Sequence, residues 1–300
     1  MSIKPLLAVA AISIIWGTTY LAIRIGVKDF PPFLFSGLRF ILAGGIITSY
    51  FLLKGHSWPS LMDFLNLMVS GLSICLGGNL MLCLAEKNVP SGLAALISCA
   101  LPFWIVIISK VIHKAEKITF ITNAGLAIGF TGQLLIFYDQ IKFISTASYL
   151  TGIIFSVISV FFGAFGSVYM KKHSVKSNPV FSGGIQMLFS GVIIATIGLF
   201  IGEIHVMHVS IAGIQAFLYL VVAGSIVGYS CFCYAISKLP ATLVSVYTYI
   251  NPIVALWLGW LILNERITWM MIFAMLITVA GVYIVKRGAY QNKNVLREGG

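Results

Sequence analysis

Apolar runs of about twenty residues recur along the whole chain, and they constrain its fold more than any other feature. A helix rises about 1.5 Å per residue, so about 20 apolar residues cross a hydrocarbon core of roughly 30 Å. The sequence therefore predicts an all-α integral membrane protein with ten transmembrane helices. The predicted spans are Leu6 to Ile23, Phe33 to Leu53, Phe64 to Ala85, Ser91 to Ile112, Phe120 to Phe137, Tyr149 to Met170, Val180 to Ile201, Ile211 to Ile236, Ala241 to Leu263 and Trp269 to Val285.

Charged residues are too scarce to cover the surface of a water-soluble protein. They make up 9% of this chain, whereas about 25% is usual for soluble domains. Apolar residues make up 59%, and the segments between the predicted spans are short. A soluble globule is therefore excluded, and the groups that carry function must lie within the helices.

Lysine and arginine are distributed unevenly between alternate loops. With a cytoplasmic N-terminus, thirteen fall in inner loops and tails and five in outer loops. This bias satisfies the positive-inside rule, so we expect both termini in the cytoplasm. The charge of +11 is spread over many loops, so no nucleic-acid partner is expected. The inner set is Lys4, Lys54, Lys110, Lys114, Lys117, Lys171, Lys172, Lys176, Lys238, Lys286, Arg287, Lys293 and Arg297, and the outer set is Arg24, Lys28, Lys87, Lys142 and Arg266.

The sequence repeats itself weakly at a spacing of about 150 residues. Pro102 aligns with Pro252, and the tetrapeptide EKIT at Glu116 to Thr119 aligns with ERIT at Glu265 to Thr268. Five spans map onto five, and an odd number of crossings reverses the second copy in the membrane. We therefore predict inverted repeats over residues 1–140 and 141–290, followed by a cytoplasmic tail over residues 291–300. The two glutamates should lie on opposite sides of the membrane, which does not favour a shared catalytic role.

Short motifs stand in a characteristic order in both halves. They are Ile15-Trp16-Gly17-Thr18-Thr19-Tyr20, Pro31-Pro32 with Leu38-Arg39-Phe40, Val89-Pro90 with Pro102, and, in the second half, Pro240, Asn251-Pro252 and Asn264-Glu265-Arg266. This set resembles the drug/metabolite transporter (DMT) superfamily and its EamA-type members in particular. The resemblance implies ten helices in two inverted five-helix repeats and a central cavity formed mainly by spans 1, 3, 4, 6, 8 and 9. It also implies alternating access for small metabolites, often in the export direction.

Two prolines lie at equivalent positions within predicted spans. Pro102 and Pro252 each remove a backbone hydrogen bond and should kink the fourth and ninth helices. A freed carbonyl at membrane depth is tolerated only against protein or a watery cavity. Both kinks should therefore face the interior, where they could act as hinges or could merely shape packing.

Aromatic and polar side chains near these kinks are the candidate substrate contacts. Aromatic rings could hold an aromatic or cationic solute, and the two asparagines could hydrogen-bond it. The same residues could instead pack helices or bond them together. The candidates are Trp16, Tyr20, Asn79, Trp104, Tyr229, Tyr247 and Asn251.

Arg39 is the one charge clearly inside a predicted span. It could attract a carboxylate or phosphate, extend toward the outer interface, or bind backbone carbonyls. Gln186 stands at the equivalent position of the second half. No carboxylate occupies the centre of a span, which favours exchange or potential-driven movement. Glu86, at the end of the third span, is the nearest candidate for a proton site and could also be a solvated loop residue.

The residues and the resemblance together favour a secondary transporter of the bacterial inner membrane for a small metabolite, amino acid-like or a related solute, working by efflux or exchange. A nucleotide-like metabolite, a quaternary amine or a drug would also fit the mixture of aromatic and polar residues. A channel or an integral-membrane enzyme acting on a lipid-linked substrate is the alternative class. The five histidines lie in loops or at span ends, so no catalytic group, metal or cofactor is expected. Gly125-x3-Gly129 and Gly224-x3-Gly228 could pack helices within one chain or between two copies in a homodimer.

Overall fold

The apolar runs form helices throughout the described part of the chain. The structure is a computed structural model, and it describes residues 3–113, 120–141 and 147–298. EKIT at Glu116 to Thr119 and the loop residues Lys114, Lys117 and Lys142 lie outside the described residues. The helices are α1 (Lys4–Gly26), α2 (Pro32–Leu53), α3 (Leu61–Glu86), α4 (Ser91–Ser98 and Leu101–His113), α5 (Phe120–Ile141), α6 (Ala147–Lys172), α7 (Pro179–Phe200), α8 (Ile211–Lys238), α9 (Ala241–Val244 and Tyr247–Leu263) and α10 (Trp269–Glu298), with a 3₁₀ turn at Glu203–Val206.

Eight helical segments within the described residues are long and apolar enough to cross a membrane, namely α1 to α4 and α6 to α9. The two remaining helices, α5 and α10, cover the fifth and tenth predicted spans. The last helix continues beyond the predicted span, from Trp269 to Glu298. Hydropathy marks where apolar sequence ends, whereas Lys, Arg and Gln continue a helix without difficulty.

Glycines bring α2 and α7 into close contact along their length. A Cβ atom on Gly37 would lie 2.6 Å from the backbone nitrogen of Ala195, and one on Gly191 would lie 2.7 Å from that of Ile41. Gly44 meets the backbone of Leu188. As the residue number increases along α2, the number of the contacted residue decreases along α7, so these two helices are antiparallel.

The pair α5 and α10 repeats this arrangement. A Cβ atom on Gly132 would lie 2.8 Å from the backbone nitrogen of Thr278, and Gly281 meets the backbone of Gly129. The order again reverses, so α5 and α10 are also antiparallel. Because Gly129 contacts α10 and Gly228 contacts Trp16 of α1, both glycine motifs make contacts within the chain. The homodimer stays a prediction.

The other helices exchange partners between the two halves. Helix α1 packs on α8 and α9, and its equivalent α6 packs on α3 and α4. Each half therefore completes its packing with helices of the other. The core lies where these contacts converge, around α1, α3, α4, α6, α8 and α9.

Four core helices are irregular at mid-length. Helices α3 and α8 contain π-helical stretches at Leu72–Leu80 and Leu220–Tyr229. Helices α4 and α9 are interrupted between Ser98 and Leu101 and between Val244 and Tyr247. Each interruption lies upstream of a proline. Pro102 has no N–H for the carbonyl of Ser98, where the first part of α4 ends, whereas the interruption of α9 lies six residues before Pro252. Pro252 has no N–H for the carbonyl of Thr248, and that carbonyl accepts a 3.3 Å hydrogen bond from the Cys99 thiol of α4.

The ERIT glutamate joins the end of α9 to the beginning of α4. The Glu265 carboxylate accepts hydrogen bonds from the backbone N–H of Ser91 (3.0 Å), the Ser91 hydroxyl (2.8 Å) and the N–H of Gly92 (3.3 Å). A carboxylate suits a helix N-terminus because it neutralises unpaired N–H donors and the positive end of the dipole. Glu203 does the same for α2, accepting from the N–H of Leu34 at 2.8 Å. Glu265 thus has a structural role in this conformation.

Candidate substrate cavity

The irregular stretches enclose a cavity of about 140 Å³ at the centre of the bundle. A cavity of about 150 Å³ in another protein holds benzene, so this space has the scale of a small organic molecule. Helices α1, α3, α4, α6, α8 and α9 line it, as expected, together with α2. Six of the seven candidate contacts line the cavity, and Arg39 lines it as well. The six are Trp16, Tyr20, Asn79, Tyr229, Tyr247 and Asn251.

Trp104 is the candidate contact that does not line the cavity. Its ring packs edge-on against Phe161 of α6, with centroids 5.2 Å apart. Val254, at the equivalent position of α9, packs on Gly17 of α1. This position therefore makes a helix–helix contact in both halves, and an aromatic side chain there serves packing.

The indole of Trp16 is held rigidly at the cavity wall. Its Nε1 donates a 3.1 Å hydrogen bond to the carbonyl of Gly224, within the π-helical stretch of α8. Its ring packs perpendicular to Tyr247, with centroids 5.0 Å apart, and tilted against Phe232 at 5.2 Å. These contacts fix a flat apolar surface against which a solute could stack.

Asn251 ties two helices together and also lines the cavity. With its amide nitrogen toward α1, it donates to the carbonyls of Ser13 at 2.9 Å and Tyr247 at 3.0 Å. It therefore joins α9 to α1 at the cavity wall, and its contact with a solute stays a prediction.

Arg39 is buried at the cavity and does not extend to the outer interface, since only 3% of it is exposed. One guanidinium nitrogen, Nη2, donates to Oδ1 of Asn79 on α3. The guanidinium also lies over the ring of Phe40, 4.3 Å from its centroid. Its Nε has no hydrogen-bond partner. Arg39 is thus oriented by neutral groups.

The equivalent place in the second half holds a neutral polar pair. Gln186, the counterpart of Arg39, accepts a 2.9 Å hydrogen bond from the hydroxyl of Tyr229, the counterpart of Asn79. The Gln186 amide nitrogen donates to the Ser70 hydroxyl at 2.7 Å. The two halves therefore use the same helix pairs and positions, but only the first places a charge at the cavity.

Small hydroxyl residues on the cavity wall were missed by the sequence interpretation. Ser98 and Thr248 line it at equivalent positions, four residues before the two prolines. Their hydroxyls bond back to the carbonyls of Ala94 (3.0 Å) and Ser245 (2.7 Å), the ordinary way to place such residues in a helix. Their recurrence at one distance from each proline is the signal that could have identified them.

A basic side chain near the end of α1 holds the end of α3, and one near the end of α6, the equivalent of α1, holds the end of α8. Arg24 of α1 donates to the carbonyl of Glu86 at the end of α3, which we term the α1–α3 latch. Lys171 of α6 donates to the carbonyls of Ile236 (3.0 Å) and Ser237 (3.4 Å) at the end of α8, the α6–α8 latch. The two latches join equivalent pairs of helices, although Lys171 lies two residues before His173, the residue that aligns with Arg24.

The solvated-loop interpretation of Glu86 is wrong. Its side chain is 0% exposed, and neither carboxylate oxygen has a hydrogen-bond partner. Arg24 and Glu265 are the charged groups close enough to act on it. The end of α3, where Glu86 lies, packs against α6, α1 and α4, so the side chain is enclosed by helices and not by solvent.

Apolar helices around a solute-sized cavity with a rigid aromatic wall and a buried cation define an integral membrane protein built to handle small solutes. The chain matches the EamA-like transporter family over residues 3–138 and again over residues 150–287. It belongs to that family, within the DMT superfamily, and is a membrane transporter.

Several relatives of this chain bear transporter names. The uncharacterized inner membrane transporter YedA of Escherichia coli K12 is 33% identical over 289 residues, 94% of this chain and 90% of its own. Protein PagO of Salmonella typhimurium is 30% identical over 81% of this chain and 80% of its own. A probable amino-acid metabolite efflux pump of Escherichia coli K12 is 24% identical over 95% of both chains. A solved crystal structure of another protein, 20% identical, shares the fold with a TM-score of 0.69 over 95% of this chain and 97% of that one.

Proposed function

We propose that this protein is a secondary transporter that moves a small metabolite across the inner membrane by alternating access. Ten transmembrane helices would form two inverted repeats over residues 1–140 and 141–290, with both termini and the tail over 291–300 in the cytoplasm. The observation that carries the proposal is the antiparallel pairing of equivalent helices around one central cavity. If both members of such a pair cross the bilayer, the two halves enter it from opposite sides.

If the repeats are inverted, equivalent segments of the two halves lie on opposite sides of the membrane. A conformation that closes the cavity on one side then has a counterpart, built from the equivalent contacts, that closes it on the other. The α1–α3 and α6–α8 latches support this view, because equivalent helices are joined by the same kind of bond. Each latch would open in the state that exposes the cavity to its own side.

The proline interruptions of α4 and α9 are suited to act as hinges in this change. Each leaves a helix of eight or fewer residues before a longer one, and cavity-lining residues flank both breaks. The Cys99 thiol, in the break of α4, donates to the Thr248 carbonyl, two residues beyond the break of α9, so movement at one break would affect the other. Bending at Pro102 and Pro252 would widen one mouth of the cavity and narrow the opposite one.

The cargo we propose is amino acid-like, moved by efflux or exchange. The cavity is small and combines aromatic faces with hydroxyl and amide groups, which suits a polar metabolite with an apolar portion. The relative named as a probable amino-acid metabolite efflux pump, similar over almost its whole length, supports the same class and direction.

Accessibility of a single cysteine tests the mechanism without knowledge of the cargo. Tyr247→Cys in a cysteine-free chain should react with a membrane-impermeant maleimide both in intact cells and in inverted vesicles. Lys54→Cys and Val206→Cys, both at exposed positions between helices, serve as sidedness controls and should each react from one face only. Labelling of Tyr247→Cys from a single face under every condition would exclude alternating access.

Counterflow distinguishes a carrier from a channel. Proteoliposomes loaded with unlabelled amino acids should transiently accumulate a labelled amino acid above its external concentration. A channel would only equilibrate the label, and protein-free liposomes provide the background.

A further inference from the structure

The cavity contains an arginine that the transport mechanism proposed above does not yet use. Arg39 lines the space from α2 and is 3% exposed. A charge at membrane depth is costly unless another charge or a wet cavity compensates it. The surroundings of Arg39 therefore determine what kind of solute the cavity can accept.

Arg39 makes no ion pair with any carboxylate whose side chain the structure describes. Four of these carboxylates accept hydrogen bonds elsewhere, on serine hydroxyls or helix N-termini, namely Asp29, Asp63, Glu203 and Glu265. Glu86 is buried without a hydrogen bond, beside Arg24 of the α1–α3 latch. The ionisable groups close enough to act on the guanidinium are the thiols of Cys75 and Cys83. The positive charge has no protein counter-charge among these groups.

The guanidinium is nonetheless held in a definite orientation. Asn79 accepts from Nη2, and the ring of Phe40 lies against one face of the group. Nε is buried and has no partner, so at least one donor is left for a ligand. A fixed planar group with free donors is the usual arrangement for binding a carboxylate or phosphate.

The net charge of the cavity favours a singly charged anion. One buried cation neutralises one carboxylate, whereas a phosphate group with up to two negative charges would leave an excess in a low-dielectric space. The remaining wall combines aliphatic residues with aromatic rings and hydroxyl groups, as at Trp16, Ser159 and Ser225. It can accommodate an apolar body or hold an ammonium over a ring.

We infer that the cavity recognises a small carboxylate-bearing metabolite and that the carboxylate pairs with Arg39. This inference rests on the proposed transport function, because it assigns the substrate class to the same cavity. Asn79 is a positioning residue that orients the guanidinium. Only the first half can bind the carboxylate in this way, since Gln186, the counterpart of Arg39 in the second half, carries no charge.

Thermal stabilisation of the purified full-length protein by matched compounds tests the inference. The probes are the amino acids threonine, leucine and phenylalanine with their amides, acetate and lactate with their amides, and inorganic phosphate. At least one carboxylate should raise the melting temperature of the wild type, and its amide should not. Phosphate should stabilise less than that carboxylate.

Substitution of the arginine provides the second arm. Arg39→Gln should fold, because Gln186 occupies the equivalent place fully buried. It should lose about 10- to 100-fold in affinity for the stabilising carboxylate, as expected for charge-assisted hydrogen bonds. Arg39→Lys should retain part of the affinity. The control Lys87→Gln removes one positive charge from an exposed position and should bind as the wild type does.

The outcomes separate this inference from the transport proposal. Equal stabilisation by acid and amide, unchanged affinity in Arg39→Gln, or no effect of any carboxylate would overturn the recognition of a carboxylate by Arg39. Stronger binding of phosphate, lost in Arg39→Gln, would overturn the choice of carboxylate. In each case two-sided labelling of Tyr247→Cys would leave the transport proposal standing.

Discussion

Two glutamates illustrate how the environment decides the role of a residue. Glu265 accepts three hydrogen bonds at the beginning of α4, whereas Glu86 is fully buried with neither oxygen bonded. Both carry the same group and lie near each other. The first stabilises the fold, and the second places a buried carboxyl group without hydrogen bonds beside Arg24 of the α1–α3 latch.

Glutamine substitution should affect these two residues in opposite ways. Glu265→Gln should lower the melting temperature, since an amide loses the charge and one acceptor at a helix N-terminus, worth about 1–2 kcal/mol. Glu86→Gln should leave the melting temperature unchanged or raise it, because a neutral isostere removes an unpaired buried charge. Thermal unfolding in detergent measures both. Equal destabilisation would contradict the assigned environments.

At the scale of elements, glycines set the distance between paired helices. Gly44 of α2 meets the backbone of α7 at Leu188, whereas Gly45, next along the same helix, has no atom within 4 Å of an added Cβ. The close approach is thus confined to one face. A larger side chain on that face would push α2 and α7 apart and weaken their antiparallel pairing.

Valine at these neighbouring positions tests the helix contact directly. Gly44→Val should destabilise the protein by about 1–3 kcal/mol through overpacking against α7. Gly45→Val is the matched control, with the same change in propensity, and should be close to neutral. Melting temperature and detergent-extractable yield are the measurements. Similar losses in both variants would argue against the α2–α7 contact.

The proline breaks are the second feature at this scale. Pro252→Ala should restore the N–H that the Thr248 carbonyl lacks and straighten α9, which is expected to slow transport several-fold at normal expression. Pro102→Ala should act in the same direction on α4. Uptake in proteoliposomes, normalised to protein, is the measurement. Unchanged rates in both variants would count against hinges and would favour static kinks.

At the scale of the whole molecule, the two latches should oppose each other. Loss of a latch destabilises the state that it closes and shifts the population toward the state open on that side. The two latches would then have opposite effects on the equilibrium between the states open to either side of the membrane. The mechanism depends on this relation more than on the strength of either bond.

Removing the latches one at a time measures that relation. Arg24→Gln should increase the labelling of Tyr247→Cys from one face of the membrane, and Lys171→Gln should increase it from the opposite face. The variant carrying both changes should return toward the original ratio. Changes in the same direction for both single variants would show that the latches are not functional equivalents.

Much of the helix arrangement was predictable, because helix position depends on local hydropathy and length. The predicted spans coincide with helices in the described residues, and six candidate contacts meet at the cavity. What local sequence did not reveal concerns contacts between distant residues. Trp104 packs on Phe161 and does not line the cavity in this conformation, and Glu86 is buried where the end of α3 meets other helices.

The sequence by itself determined that this chain is an all-helical membrane protein of the EamA-like family, since apolar length, charge scarcity and ordered motifs are properties of the linear chain. Only the tertiary structure decided which residues share the cavity. Ser98, Thr248 and Arg39 are far apart in sequence and are brought together by the π-helical stretches, the proline breaks and the packing of one half on the other. Whether the charge of Arg39 is compensated depends on those contacts, which no local pattern records.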